Sequence, residues 1–462
     1  MNKYPASVLI VGFGSVGQAL LPLIIEKFAL SSKQIQIIAA DGNGRNVAAA
    51  YGIQIEIAPL LPCNVEASLY GRLHAGDWLL NLAVEVSSVA LILWCRRSGV
   101  LYLDTCVEPW AGGYAHITNL SLTTNHALRE QALQLHEPGT PTAIIAHGAN
   151  PGIITHLAKA GLLELAKLRG VEEQSSWAAL AAAIGVKVIQ IAERDTQAVA
   201  AEIPLSHFVN TWSVPGFLAE AQQCAEVGWG THEMMLAPGG VFHGTGDPSA
   251  IYMQALGIDV LVKSWVPSLG EQVSYLIPHH EATSLASLLT VYPDGEALPS
   301  YRPTVYYAYN PSPATAQSIR YWKERGRQLP ARSYFLRDEL STGFDELGVL
   351  FVGSWGAFWY GSTLTLADAR AIAPFNSATS LQVVAGILGA LVWMEKRPNA
   401  GVVEAEDMHH EEVLAAAMPY LGQVGGIASP WLPRQHSQLQ FDDFLVSAVA
   451  MEFDNQPEES VY

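Results

Sequence analysis

Carboxylate, imidazole, indole and amide side chains stand in short segments of the sequence that also contain aromatic or proline residues. Such groups transfer protons, bind cations or orient a polar substrate, so a set of them is typical of an active site. The candidates are Glu108 in VEPW, Asn150 in GANPG, Glu193 in AERDTQ, Trp212 in NTWSV, Glu220 shortly after it, and His279 in the HHE segment at 279–281.

Each candidate also has an ordinary structural interpretation. Glu108 precedes a proline and could be a solvated loop residue. Glu193 is followed by an arginine and an aspartate and could belong to a surface ion-pair cluster. Trp212 could fill a core, and Asn150 could cap a helix that starts near the next proline.

The adjacent histidines His279 and His280 raise the question of a metal site. Neighbouring residues on a strand point to opposite faces, and no third ligand is placed by spacing, so we predict no metal. The cysteines show no CxxC spacing, which argues against a zinc site or a disulfide framework and fits a reducing cytoplasm. They are Cys63, Cys95, Cys106 and Cys224.

A GxGxxG motif at residues 12–17 predicts a dinucleotide site. It consists of Gly12, Phe13, Gly14, Ser15, Val16 and Gly17. An apolar strand precedes the motif and an amphipathic helix follows it. In that context the three glycines allow a tight turn, a close approach to a pyrophosphate and close helix packing. The helix N-terminus would face the phosphates. A glycine turn kept only for packing is the alternative.

Asp41 ends the second predicted strand at roughly the 20-residue distance where an acid accepts from ribose hydroxyls. An acid there repels a 2′-phosphate, so Asp41 favours NAD over NADP, although Arg45 nearby could serve NADP.

Polar segments follow the fourth and fifth strands. Ligands of open α/β sheets lie beyond the carboxyl ends of the strands, so these residues are expected on the nicotinamide side, with ordinary loop roles as the alternative. They are Asn81, Leu82, Ala83 and Thr105.

The elements that must position these groups alternate between strand and helix over the first third of the chain. Apolar strands are predicted at 8–11, 35–40, 53–57, 78–82, 100–103 and 142–146, with helices such as 15–28 and 88–97 between them. Strands that are apolar throughout are buried on both faces. We therefore predict an α/β protein with an N-terminal Rossmann domain, a doubly wound parallel sheet over 1–150.

From residue 150 onward the pattern changes to longer mixed segments, with a helix predicted at 151–168 and a strand at 301–309. We predict an α+β substrate domain over 151–370 and a C-terminal helical segment and tail over 371–462. The apolar run at 381–394 is short for a bilayer span, so a buried helix near 376–396 is expected to pack back on the first domain. Residues 456–462 are expected to form a frayed acidic tail.

The composition of the 462 residues, 50% hydrophobic and 15% charged, is typical of a compact enzyme rather than a disordered regulator. A formal net charge of −18 argues against a nucleic-acid binder. We expect no signal peptide and no membrane segment. We expect the protein to be cytoplasmic.

Taken together, these motifs resemble those of bacterial homospermidine synthases, within the saccharopine-reductase-like group of dinucleotide enzymes. The resemblance covers nearly the whole chain. It runs in order through GFGSVG, VEPW, GANPG, AERDTQ, NTWSV, HHE, RPT at 302–304, DELGVL at 345–350, APFNSATSLQV at 373–383 and PYLG at 419–422. So many ordered matches are far more specific than the glycine turn alone.

The resemblance implies an enzyme that makes homospermidine from putrescine, or from putrescine and spermidine, and releases ammonia or diaminopropane. In the family's reaction a hydride passes from the carbon beside a putrescine amine to bound NAD⁺. A second putrescine then exchanges into the resulting imine and the hydride returns. There is no net redox change, so NAD is recycled. The resemblance also suggests a homodimer formed through the second domain.

Site roles follow from the same resemblance. Three acids, which are not ranked, match positions that bind substrate amines: Glu108, Glu193 and Glu220. Trp212 matches the family's active-site tryptophan, whose face would hold a cationic imine. Asn150 and His279 match polar positions near the reacting amine, with His279 as a proton carrier.

Some points stay open. His280 stands where asparagine is expected, and Ser354-Trp355 replaces a shorter, more polar pair. The roles of Glu281, Asp345 and Asn376, the preferred amine donor and the identity of the general base are not fixed. Two other functions also remain. One is an NAD(P)-dependent reductase of the saccharopine or carboxynorspermidine type, and the other is a dinucleotide sensor without turnover.

Overall fold

The computed structural model describes residues 5–113, 117–330, 332–434 and 437–446. In its N-terminal part, strands and helices alternate as the sequence predicts. The strands are β1 (Val8–Val11), β2 (Ile35–Ala39), β3 (Ile55–Ile57), β4 (Trp78–Asn81), β5 (Leu101–Asp104) and β6 (Ala143–Ile144). The helices are α1 (Ser15–Phe28), α2 (Arg45–Ala50), α3 (Val65–Leu69), α4 (Ser88–Ser98) and α5 (Asn125–Leu133).

The second part begins with helices and continues with longer strands. The helices are α6 (Ile153–Arg169), α7 (Trp177–Ile184), α8 (Val214–Ala221), α9 (His280–Leu288), α10 (Pro313–Glu324), α11 (Leu366–Ile372), α12 (Ala378–Lys396), α13 (His410–Ala417) and α14 (Phe441–Phe444). The strands are β7 (Val186–Asp195), β8 (Ala198–Val199), β9 (His207–Asn210), β10 (Cys224–Gly228), β11 (Gly240–Phe242), β12 (Ala250–Leu256), β13 (Leu261–Val266), β14 (Gly270–Tyr275), β15 (Thr304–Asn310), β16 (Arg332–Phe335), β17 (Leu340–Thr342), β18 (Phe344–Gly353), β19 (Gly356–Thr365), β20 (Val402–Val403) and β21 (Gln423–Ser429).

The first sheet has seven parallel strands in the order β20-β6-β5-β4-β1-β2-β3. This confirms the predicted doubly wound parallel sheet. The chain moves outward in one direction through β2 and β3 and in the other through β4 and β5. A crevice therefore opens at the carboxyl ends of β1 and β4, where such folds bind their ligands.

The second sheet has ten strands and is mixed, which confirms the predicted α+β character. Its main path is β11-β12-β10-β15-β7-β18-β19-β21, with the β13–β14 hairpin attached to β15. Strands β7 and β15 lie parallel in its centre, and β18 pairs antiparallel with β7. The central strand β7 has a neighbouring strand on each side, β15 and β18. Polar side chains at its carboxyl end are therefore shielded from solvent.

Helix α12 is long and apolar enough to cross a membrane, yet 83% of its apolar window is buried inside the protein. It shares one hydrophobic core with α1 and α6. Gly386 allows this position, because a Cβ there would lie 1.8 Å from the carbonyl oxygen of Gly148. The helix thus supports the segment that carries Asn150.

Two expectations differ from the structure. Residues 371–462 were expected to form a helical segment and tail, but they also supply β20 to the first sheet and β21 to the second. The two histidines do not lie on a strand, as the sequence analysis supposes: His279 is the extended N-cap residue of helix α9, and His280 is the first residue of that helix. The expected tail at 456–462 lies outside the described residues.

Candidate active site

A cleft that opens to solvent lies at the carboxyl ends of the first sheet and faces the second. It brings together the six predicted catalytic residues. They are Glu108, Asn150, Glu193, Trp212, Glu220 and His279. Seven of the predicted cofactor residues line the same cleft, namely Gly14, Ser15, Val16, Asn81, Leu82, Ala83 and Thr105.

The glycine turn closes the cleft on the side of the first domain. Gly12 has a φ of +87°, and a Cβ on it would lie 2.6 Å from the backbone nitrogen of Ala83. A Cβ on Gly14 would meet nothing within 4 Å. The turn is therefore tight against the β4 loop but open beside Gly14, where the free N–H groups of helix α1 can meet an anionic ligand. Phe13 and Gly17 lie beneath the turn and do not line the cleft.

Asp41 is exposed just beyond strand β2 and outside the lining of the cleft. Its two carboxylate oxygens accept from the backbone N–H and the side-chain amide of Asn43, each at 2.8 Å. The carboxylate is thus fixed in place with lone pairs left to accept from hydroxyl groups. The side chain of Arg45 folds back over Gly42, because a Cβ on Gly42 would lie 3.0 Å from its Nε.

Glu193 lies near the end of the central strand β7 and is only 3% exposed. Its Oε2 accepts from the hydroxyl of Tyr307 at 2.5 Å and from the amide of Asn150 at 3.3 Å. Burial raises the pKa of Glu193, and the charge of Asp195 adds to the effect, while the two hydrogen bonds oppose it. The surface ion-pair interpretation of this segment is wrong.

Trp212 stands between β9 and α8 and is half-buried, with its indole on the wall of the cleft. Its Nε1 donates to the hydroxyl of Tyr309 at 3.4 Å, and Phe217 meets it edge-on at 5.9 Å. The loop is anchored because the hydroxyl of Thr211 donates to Asp195 at 2.6 Å. The indole therefore presents a fixed π-face to the cleft.

His279 lies between two carboxylates. Its Nε2 is 3.3 Å from Oε2 of Glu220, which lines the cleft, and its Nδ1 is 3.6 Å from Oε2 of Glu281. Burial alone would lower the pKa of His279, but the two carboxylates outweigh burial and raise it to about 10. The side chain is therefore an imidazolium at neutral pH, which can donate a proton but is a poor base.

Glu108 follows strand β5 and accepts from the backbone N–H of Glu85 at 3.1 Å. Burial raises the pKa of Glu108 to about 8, and the charge of Glu220 contributes in the same direction. The same surroundings raise the pKa of the neighbouring Cys106 thiol well above its usual range, so this cysteine stays neutral. Glu108 is thus poised to change its charge near neutral pH.

Several lining residues did not stand out in the sequence. They include Cys106, Ser213, Gly216, Tyr307, Thr379 and Val383. Tyr307 is the most consequential, because its hydroxyl holds Glu193. Its position follows from the parallel register in which it pairs with Ile191 of β7, and a single strand sequence contains no signal for that register.

The residues of open role lie behind the cleft. His280 pairs with Glu404 at 2.9 Å, and Arg129 also binds that carboxylate, so His280 belongs to a buried network between the two domains. Asp345 accepts from the hydroxyl of Thr379. Asn376 donates to the carbonyl of Ala19 and fixes the start of α12 against α1.

Within the described ranges, no group of three His, Cys, Asp or Glu side chains is placed to hold a metal ion. Thr105 and Asn81 retain their predicted places at the strand ends. The side-chain amide of Asn81 donates to the carbonyl of Val86 at 3.1 Å and to Tyr102 at 3.3 Å, which shapes the loop beneath the cleft.

Comparison with known proteins covers both domains. Residues 8–144 match the model of the saccharopine dehydrogenase NADP binding domain, and residues 148–427 match that of the saccharopine dehydrogenase C-terminal domain. The chain is 39% identical to homospermidine synthase of Mesorhizobium japonicum over 442 residues, covering 92% of this chain and 91% of that protein. It is 38% identical to homospermidine synthase of Blastochloris viridis over 444 residues, covering 94% and 93%.

Among solved structures, homospermidine synthase of Legionella pneumophila in complex with NAD superposes with a TM-score of 0.90 at 39% identity. The match covers 96% of this chain and 98% of that one. The sequence agrees with two curated relatives over more than nine-tenths of their length, and both sequence and fold agree with the solved relative, so this chain belongs to the homospermidine synthase family.

Proposed function

We propose that this protein is an NAD-dependent homospermidine synthase that transfers an aminobutyl group from putrescine, or from spermidine, to putrescine. One observation carries the proposal. A single cleft joins a dinucleotide turn on the first domain to three carboxylates and an indole on its walls. Such a cleft suits a cationic diamine that must react beside a nicotinamide.

The residues present fit NAD. The turn leaves open space beside Gly14, and the fixed carboxylate of Asp41 can accept from ribose hydroxyls while repelling a 2′-phosphate. NAD also accompanies the Legionella relative in its structure. When bound, NAD supplies an acceptor for the hydride of the amine carbon and later returns that hydride to the product.

The acids of the cleft bind and orient the amines. A diamine carries two ammonium groups, and the distal one needs an anionic partner that holds the chain extended. Glu220 is suited to this task because the His279 imidazolium fixes one of its oxygens and leaves the other free. Glu108 adds a second carboxylate on the same cleft.

The reacting amine must lose a proton before the hydride can leave the adjacent carbon, so a base is required. A carboxylate serves best as a base when its pKa lies near the working pH. Burial raises the pKa of both Glu193 and Glu108 toward that range. Asn150 and Tyr307 hold Glu193 in place for such a transfer.

Trp212 holds the positive charge that appears when the amine becomes an iminium ion. An indole face attracts a cation by about 0.5–2 kcal/mol without forming a bond to it. Its Nε1 donates to the hydroxyl of Tyr309, and its ring packs edge-on against Phe217. The indole is therefore already held in one orientation before the reaction begins.

The decisive experiment is product analysis with purified protein, NAD and putrescine. We expect homospermidine and ammonia in equal amounts, with no build-up of NADH at 340 nm. NADH that accumulates in proportion to product would refute the proposal and favour a reductase. Mass spectrometry of the nucleotide that co-purifies tests the preference for NAD over NADP.

A transient experiment separates the base from the binding acids. At saturating putrescine, Glu193→Gln and Glu108→Gln are compared with the wild type for the single-turnover rise at 340 nm. The variant that lacks the base loses the rise, whereas a variant that lacks only a binding contact recovers it at high putrescine. A full rise in absorbance at 340 nm in both variants would exclude both acids as the base.

We also infer a homodimer formed through the second domain, in a reducing cytoplasm. Met234, Met235 and Phe242 are more than half exposed on strand β11 and in the segment before it, which supports an apolar contact there. Light scattering measures the mass in solution, and Phe242→Ser is expected to weaken the dimer. A monomer in the wild type would contradict the inference. The cysteines of the described residues form no disulfide bond, which supports a location in the reducing cytoplasm.

A further inference from the structure

Glu281 is a buried carboxylate whose oxygens have no hydrogen-bond partner among the described residues. Its side chain is only 1% exposed and does not line the cleft. Burying a carboxylate without hydrogen bonds is costly, and a glutamine or an apolar side chain would fill the same space at lower cost. A purely structural role therefore does not account for this charge.

The cation that Glu281 faces is His279. Its Oε2 lies 3.6 Å from Nδ1 of the ring, while Nε2 on the other side lies 3.3 Å from Oε2 of Glu220. Glu281 also stands in the first turn of α9, where the helix dipole favours a negative charge. The three side chains form a row that leads from the core to the cleft.

Other groups face His279 from the elements around it. Tyr307 of β15 contacts the ring at a centroid distance of 4.4 Å, and Glu193 of β7 and Cys106 after β5 lie nearby. Tyr307 and Cys106 are neutral at pH 7, because burial raises the pKa of each well above its usual range. Glu220 and Glu281 are thus the carboxylates in ion-pair distance of the ring.

We propose that Glu281 is a positioning residue that acts through His279, holding the ring as an imidazolium that orients Glu220 toward the substrate ammonium. The role of Glu220 rests on the proposed function, whereas the action of Glu281 on His279 does not. With both ring nitrogens protonated, Nε2 always donates to Glu220. A neutral ring that kept its proton on Nδ1 would turn a lone pair toward that carboxylate and release it.

The experiment titrates His279 directly in the NAD-loaded protein by histidine NMR, with His279→Gln used to assign the signal. An opposite charge at this distance shifts a pKa by about 1–3 units. In Glu281→Gln the pKa of His279 is therefore expected to fall by at least about one unit, from its value of about 10. Glu281→Asp retains the charge and is expected to retain most of the pKa.

The second readout is the putrescine KM at pH 9 relative to pH 7.5. The wild-type KM ratio already includes the titration of Glu108 and of putrescine itself, so each variant is compared with it. Relative to the wild-type ratio, the ratio rises about twofold if the pKa of His279 falls by one unit and about eightfold if it falls by two. Glu406→Gln is the matched control. Glu406 accepts instead from the hydroxyls of Thr155 and Ser284, so its loss is expected to leave the pKa and the KM ratio unchanged.

An unchanged pKa of His279 in Glu281→Gln would overturn the proposal, as would an equal effect in Glu406→Gln. The thermal midpoint of each variant is measured beside the pKa. A lowered midpoint with an unchanged pKa would mark Glu281 as structural. If the protein made no homospermidine, the NMR titration would still decide the link between Glu281 and His279.

Discussion

Replacement of Glu108 by glutamine is expected to stabilise the protein while it damages catalysis. The carboxylate lies in the cleft, and burial raises its pKa to about 8. Between pH 4.5 and 8 the folded protein therefore retains a proton that the unfolded chain has lost. The stability that this group contributes is complete below its usual pKa of 4.5 and disappears as the pH rises through 8.

The size of the effect follows from the same pKa. A rise from 4.5 to about 8 corresponds to at most about 5 kcal/mol, at about 1.4 kcal/mol for each tenfold change. Because the side chain is partly open to the solvent-filled cleft, we expect about 1–3 kcal/mol above pH 8. Glutamine keeps the shape and can still accept from the N–H of Glu85, so the comparison isolates the charge.

The assay is thermal or urea unfolding of Glu108→Gln and wild type at saturating NAD, at pH 4.5 and at pH 8.5. The variant is expected to be more stable at pH 8.5, with the difference vanishing at pH 4.5. Its kcat/KM for putrescine should fall about 10- to 150-fold, since a hydrogen bond to a charged group contributes about 1.5–3 kcal/mol.

A loss of stability in the variant at pH 8.5 would refute this reasoning. It would mean that the carboxylate is held as an anion by its surroundings, with the N–H of Glu85 outweighing burial. A stability gain of equal size at both pH values would also refute it, because a gain that does not depend on pH cannot come from a titrating group.

Three further predictions concern other parts of the site. Trp212→Phe should keep a substantial part of the putrescine turnover, and Trp212→Ala or Trp212→Glu should lose most of it; equal turnover in all three would make the indole a packing residue only. Glu220→Gln should raise the putrescine KM while the NAD Kd, measured by fluorescence, stays unchanged, and a matching loss of NAD affinity would contradict the assigned role. Gly12→Ala should abolish NAD binding, because φ is +87° and the new Cβ would lie 2.6 Å from the nitrogen of Ala83; a Kd within twofold of wild type would show that the turn can adapt.

The first sheet could be predicted from the sequence because each strand is a continuous apolar run followed by a periodic helix. The two-residue strand β20 could not, since it is too short to show a pattern and joins the sheet only through its register with β6. Strand β21 was missed for a related reason. It contains two adjacent glycines, and it exists because the edge of β19 offers it a partner.

The sequence predicts which residues form the site better than it predicts their charges. Sequence motifs supplied the six lining residues, but not whether each was buried or charged. Glu193 shows the limit, since a neighbouring arginine and aspartate suggested a surface cluster, and only its place on a central strand makes it buried. The resemblance implies that His279 carries protons, yet its two carboxylate neighbours hold it as an imidazolium, and that depends on Glu220 near the end of α8 lying beside the start of α9.

The raised pKa of the cleft acids bears on how such an enzyme could release its product. Putrescine carries two ammonium groups and homospermidine three, so a cleft with permanently ionised acids would bind the product more tightly than the substrate. Ionising Glu108 at pH 7 costs about 1.4 kcal/mol when its pKa is about 8, which weakens polyamine binding about tenfold. When the product leaves, the acid takes up a proton again and the empty cleft avoids a buried, unpaired charge. This cost falls on every bound polyamine, so it lowers the affinity for the triamine product as well as for the diamine substrate and favours product release.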